Sequence, residues 1–137
     1  MSIQRYWKKI PEYYNLRGKK CISCSELYFP SRDICKKCGS LELKNHFFEG
    51  KGEIVTYTII RTAVTDYEGE QLDFPSHKVP YVMAIIKLDE GPMLTAEVVD
   101  SLIEDVQIGK NAEMVFRKII EKGKKGAIHY GYKFRLV

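Results

Sequence analysis

Cys21, Cys24, Cys35 and Cys38 are the residues of this 137-residue chain whose type and spacing point most directly to chemistry. They are arranged as C-x2-C-x10-C-x2-C. Zinc takes four soft ligands in a tetrahedron with bonds of about 2.3 Å, and two such pairs facing each other supply four thiolates. A two-residue gap lets both sulfurs of a pair aim at one ion while backbone N–H groups turn toward them, and the longer gap accommodates an out-and-back hairpin. With cysteine at every ligand position there is no vacancy for substrate or water, so the expected ion is structural rather than catalytic. The same thiolates would also hold a single iron, as in rubredoxin. Two disulfides are the other use of four cysteines, which an unexported chain disfavours. Gly39 follows Cys38 and can take the positive φ that closes such turns. The matching residue after Cys24 is Ser25, where a left-handed backbone would cost about 1 kcal/mol.

Other chemistry is hard to find. There is no glycine-rich phosphate loop, no GxSxG elbow and no HExxH pair. His46, His77 and His129 are scattered, none at a spacing that pairs it with a nucleophile, so each reads as a surface or hydrogen-bonded histidine. Tyr57, Phe116, Tyr130, Tyr132 and Phe134 fall in strand-like runs and invite a base-stacking reading. Alternation puts Tyr130, Tyr132 and Phe134 on one face of one strand, which suits a core or module interface better than a stacking platform.

The elements that must position the cysteines follow from periodicity. Ile3, Tyr6, Trp7 and Ile10 recur at helical spacing, with Ser2 as N-cap. Pro11 can open a further helical turn through Glu12, Tyr13 and Tyr14, and Gly18 offers a turn into the cysteine region. Residues 19–45 read as a ribbon with short extended pieces around Leu27–Phe29 and Leu41–Leu43. That segment is too short and polar to hold a core, so the metal must stabilise it, by on the order of 10 kcal/mol. From Gly52 onward the pattern becomes alternating, with five runs near 53–63, 80–88, 93–99, 112–120 and 126–136. Glu90-Gly91-Pro92 and the stretch from Lys122-Gly123 to Gly126 supply turns, and Asp100 caps a helical turn over Ser101–Asp105. The expected fold is mainly β: an N-terminal helical segment (1–17), a rubredoxin-like zinc ribbon (18–45) and a C-terminal five-stranded OB-fold barrel (46–137).

Composition bounds the partners. Hydrophobic residues make up 45% and charged residues 29% of the chain, which is the balance of a folded globular protein. No run of eighteen apolar residues occurs, and Arg5, Lys8 and Lys9 interrupt the apolar residues near the start, so the expectation is a cytoplasmic protein without membrane association. The net charge of +4 hides a division, with residues 1–52 at +6, residues 53–110 at −7 and residues 111–137 at +5. A nucleic-acid-binding barrel should be broadly basic. Here the longest loop, Val64–Lys78, carries Asp66, Glu68, Glu70 and Asp73, which would repel phosphates. Single-stranded nucleic acid is therefore the alternative partner rather than the leading one.

The order of "IPEYYNLRGKKC", "CISCSELYFPSRDICKKCGS", "YTIIRT", "VPYVMAIIKLDEG", "TAEVVD" and "IHYGYKFRLV" resembles the family of zinc-ribbon and OB-fold acyl-CoA-associated proteins, long known only as a domain of unknown function. The resemblance runs nearly the whole length of the chain. It implies a non-enzymatic accessory or scaffold protein partnering a thiolase-type or hydroxymethylglutaryl-CoA synthase-type enzyme, as in an archaeal assembly that bridges the two, with the four cysteines as zinc ligands and acyl-CoA as a ligand. Many members have glycine after the second cysteine and a second proline before the arginine, where this chain has Ser25 and Ser31. Coenzyme A would need cations at a mouth and an apolar groove behind it. The expected mouth residues are Arg32, Arg61 and Lys133, and the groove residues are Trp7, Tyr28 and Phe29.

Overall fold

The computed structural model describes residues 3–62, 80–121 and 126–137. The Ser2 cap, His77, the acidic loop from Val64 to Lys78 and the Lys122-Gly123 turn lie outside them. Two short helices, α1 (Ile3–Lys8) and α2 (Ile10–Asn15), precede three ribbon strands, β1 (Arg17–Cys21), β2 (Leu27–Tyr28) and β3 (Leu43–Phe47). Five barrel strands follow: β4 (Lys51–Ile60), β5 (Tyr81–Leu88), β6 (Met93–Val99), β7 (Asn111–Glu121) and β8 (Ile128–Leu136). The ribbon sheet is ordered β2-β1-β3, and the barrel closes as β4-β5-β6-β8-β7. The mainly β class, the ribbon and the five-stranded OB barrel are as the sequence predicts.

Several local features differ. The helical stripe is not buried as a unit: Tyr6 is buried, whereas Ile3 and Trp7 are 64% and 69% exposed. The chain turns into the ribbon at Leu16, which caps α2 with φ 48 and is fully buried. Gly18, expected to make that turn, lies inside β1. A Cβ there would sit 2.1 Å from the Tyr28 carbonyl oxygen and 2.5 Å from the Phe48 ring, so glycine serves close approach rather than a turn. β1 becomes the central ribbon strand, pairing Lys19 with Tyr28 on one side and Arg17 with Phe47 on the other. In β4 a bulge between Ile54 and Thr56 breaks strict alternation. Ile54 is buried, Val55 is exposed, and Tyr57 and Ile59 then pack against the core. Asp100 does not cap the turn Ile103–Asp105; it has φ 58, and its carboxylate accepts a hydrogen bond from Arg117 at 2.5 Å.

The core is built from Ile54, Val82, Ala84, Ile86, Leu88, Leu94, Ala96, Val98, Val106, Ala112 and Phe134 of the barrel, completed by Leu16 and Phe48 from outside its strands. The row on β8 joins modules, as its alternation suggests. Phe134 is fully buried in the core, Tyr132 meets Phe29 edge-on at 5.9 Å, and Tyr130 stacks on Phe116 at 5.5 Å. Between β6 and β8 the only register pairs are Val98 with Phe134 and Val99 with Arg135. The Met93 and Ile128 ends of the two strands are not paired with each other, which leaves a seam in the ladder. No helix among the described residues is long and apolar enough to cross a membrane.

Candidate metal centre and the groove beside it

The ribbon strands bring the four sulfurs together. Cys21 ends β1, and its carbonyl accepts the Ser25 N–H at 3.0 Å; the Cys35 carbonyl accepts the Gly39 N–H at 2.9 Å, so both knuckles close in the same way. Ser25 has φ 62 and Gly39 φ 72, so the left-handed position expected at the serine is present. All four Sγ atoms lie within 4.8 Å of one another, with Cys21–Cys38 at 3.5 Å and Cys24–Cys35 at 3.4 Å. A tetrahedron with bonds of about 2.3 Å has sulfur–sulfur edges of about 3.8 Å. The donor set therefore fits one metal ion. Cys21 and Cys35 are buried, Cys24 is half-buried and Cys38 is exposed, so the ion would sit with one edge toward solvent.

Protons and hydrogen bonds divide the quartet. The Tyr28 hydroxyl, 3.3 Å from Cys35 Sγ, is the main cause holding that thiol down at about 5. Cys21 is also lowered, first by the backbone N–H of Cys24. The Glu26 N–H pulls Cys24 down, but Cys35 and burial outweigh it and raise Cys24 to about 12. Cys38 is raised as well: the Ser40 N–H lowers it, but its sulfur neighbours and burial prevail. Thiolates and thiols thus alternate by hydrogen bonding, and a bound cation would take the place of the shared protons. The Lys36 N–H donates to the Tyr28 oxygen at 2.9 Å, and the Arg32 guanidinium lies 5.7 Å from the Tyr28 ring centroid. Tyr28 therefore stands behind a metal ligand and orients it.

Phe29 and Pro30, joined by a cis peptide bond, form one wall of an open groove of about 540 Å³ beside the β6–β8 seam. Tyr13 and Glu12 of α2 with Lys9 make another wall; Ile85, Met93, Leu94, Thr95 and Tyr132 complete it. Burial raises Tyr132 to about 12 and raises Tyr13 as well, so both phenols stay protonated at neutral pH and can donate hydrogen bonds in an otherwise apolar setting.

The six residues expected at an acyl-CoA site do not converge. Phe29 lines the groove. Tyr28 faces the cysteines, with Arg32 over its ring. Trp7 does not line the groove and is mostly exposed on α1. Arg61 follows the end of β4 and is exposed. Lys133 forms a 2.7 Å ion pair with Glu97, and both side chains are largely shielded from solvent. The Lys133 ammonium is thereby committed to a carboxylate across the seam.

Comparison with known proteins agrees with this architecture. Two family models match, described as the ChsH2 rubredoxin-like zinc ribbon domain over residues 9–44 and the ChsH2 C-terminal OB-fold domain over residues 46–117. A DUF35 domain-containing scaffold protein of Methanothermobacter thermautotrophicus is 43% identical over 135 residues, covering 96% of this chain and 93% of that protein. The chain belongs to the DUF35 family. A more distant similarity, 24% over 104 residues, links 76% of this DUF35 chain to 30% of a protein named probable enoyl-CoA hydratase alpha subunit, from Thermomonospora curvata. Among solved structures, one titled Ltp2-ChsH2(DUF35) aldolase superposes with a TM-score of 0.74 at 20% identity, covering 99% of this chain and 96% of that one, and so shares the fold.

Within this DUF35 chain, sequence reasoning missed most of the groove, including Tyr13, Ile85, Leu94 and Tyr132. Their signal was spread over four elements, and only the barrel seam brings them together. Tyr13 and Tyr132 were visible as aromatic residues on a helical turn and on β8, but no sequence spacing relates them.

Proposed function

We propose that this chain is a non-enzymatic, zinc-stabilised accessory protein that docks onto a thiolase-type or hydroxymethylglutaryl-CoA synthase-type enzyme in the cytoplasm and helps retain or pass its acyl thioester. The observation that carries the reading is the full-length relationship to a protein named as a scaffold. The partner and ligand classes are those that the resemblance in the cysteine region and the barrel strands implies. In support, the two described histidines are taken up by ring and charge contacts. His129 is buried beneath Tyr6, with ring centroids 4.1 Å apart, and His46 lies 3.7 Å from the Glu90 carboxylate. The groove over Phe29 has the apolar walls and phenol donors that suit a thioester arm carrying carbonyl acceptors, with Lys9 at its edge and Arg32 beyond the Phe29–Pro30 wall as candidate cations for phosphate.

The deciding experiment is affinity purification of the chromosomally tagged protein from its own host. Recovery of an acyl-CoA enzyme in stoichiometric amount is the expected result, and a purification that returns none would overturn the reading. Elemental analysis should give one zinc per chain and a colourless protein, whereas a red protein would mean iron. Calorimetry with acetyl-CoA, with and without the recovered enzyme, separates a ligand site on this chain from one that exists only in the complex.

A further inference from the structure

Trp7 is the only tryptophan of the chain, and it is 69% exposed. Ile3, one turn before it on the same helix face, is 64% exposed. Such side chains on a frayed terminus would mean little. α1 is not left to fray, although a six-residue helix cannot hold itself in water. The Tyr6 hydroxyl accepts the Tyr130 N–H at 2.7 Å and donates to the Tyr130 carbonyl, occupying both backbone groups of that β8 residue. The Tyr6 ring stacks on buried His129 on one contact and on Tyr13 of α2 on another, with centroids 4.1 and 5.4 Å away. One residue of the stripe thus fixes the helix to the barrel, and its neighbours are held pointing away from the core.

The charge on α1 itself and on Lys9 after it has one sign, and the next carboxylate along the chain is Glu12 of α2. Residues 3–9 contain Arg5, Lys8 and Lys9 and no carboxylate. Beside the residues that hold the helix, Phe116, which stacks on Tyr130, and Ile128, next to His129, add exposed apolar surface at 46% and 42%. An indole and a branched aliphatic chain on a single immobilised turn, with Arg5, Lys8 and Lys9 on or next to that turn, match a small concave site rather than a flat or extended one. Aromatic anchors that are already ordered lose little entropy on docking.

We propose that Ile3 and Trp7, presented by α1, are the anchor by which this chain docks into an apolar pocket rimmed by carboxylates on its enzyme partner. The proposal rests on the partner reading above and goes beyond it by assigning the docking surface and the chemistry of its complement. It also gives Trp7 a role other than lining an acyl-CoA groove.

The test uses the full chain with 5-fluorotryptophan incorporated, which places a single fluorine resonance at Trp7, and the thiolase-type enzyme recovered with the tagged protein. Adding enzyme should move and broaden that resonance and abolish its solvent isotope shift. Trp7→Ala should weaken binding by about 30-fold or more, and Ile3→Asp should act in the same direction, with the melting temperature of each variant unchanged. Lys8→Glu should slow association, as should raised salt. Binding that leaves the fluorine resonance unmoved and the Trp7→Ala affinity at the wild-type level overturns the proposal while the partner reading stands. A wild-type chain that binds no such enzyme overturns both. A resonance that moves with the chain's own concentration, or with oligo-dT, assigns the surface to self-association or to nucleic acid and likewise overturns the proposal.

Discussion

At the scale of single residues, the metal centre shows how few atoms decide its behaviour. Ser25 occupies a left-handed position that its counterpart Gly39 takes without strain. Ser25→Gly should therefore stabilise the metal-loaded protein by up to about 1 kcal/mol, seen as a raised midpoint in thermal melting. The Tyr28 hydroxyl holds the Cys35 thiol at about 5 against an ordinary 9.0. A folded-state value below the unfolded one adds stability that is complete above the unfolded value and is lost as pH falls through the folded one. Wherever a metal-free chain keeps its ribbon folded, the Cys35 contribution should thus decline from about pH 9 and be gone below about pH 5. Thiolate ultraviolet absorbance followed alongside the melting temperature measures this. Tyr28→Phe should move that titration upward and weaken metal binding about tenfold in competition with a chromophoric chelator. An unchanged titration would mean the phenol does not donate to the sulfur.

At the scale of elements, β1 illustrates both what could be foreseen and what could not. Gly18→Ala would drive a methyl group into the Tyr28 carbonyl and the Phe48 ring. It should destabilise the protein by about 1–3 kcal/mol and broaden the amide signals of β1 and β2. Nothing in the sequence RGKKC announces a central strand, because its register is imposed by partners on both sides. The barrel strands were legible because β-branched runs such as YVMAIIKL alternate between turns with their own chemistry, and Gly91 with φ 122 makes the predicted turn into β6. The cysteine cluster was legible for a related reason, since its ligands are close in sequence within each knuckle. The groove was not, since a site assembled from one residue or two per element leaves no periodic trace. The Ile3–Trp7 stripe has a helical period, but period alone does not say what covers it.

At the scale of the whole molecule, the ribbon and the barrel are stabilised by different means, and removal of the ion should separate them. Chelation should remove on the order of 10 kcal/mol of stabilisation from the ribbon, freeing residues 19–45 to exchange amide protons while the β4–β8 amides stay protected. Hydrogen exchange read residue by residue tests this, and simultaneous loss of protection throughout would show one cooperative unit instead. The division is not clean at Leu16. That side chain is fully buried in the barrel core, its carbonyl accepts the Phe48 N–H at 3.2 Å, and it lies on the far side of the ribbon in sequence. A gene fragment starting at His46 would encode every barrel strand and still produce a molecule with a leucine-sized void, costing about 2–5 kcal/mol. Chimaeras between relatives should respect this: an OB barrel borrowed from one protein needs the residue at the end of α2 from the same parent. The cysteine knuckles can be exchanged as inserts, but the leucine that precedes them and Phe29, which packs on Phe48 and Tyr132, belong with the barrel.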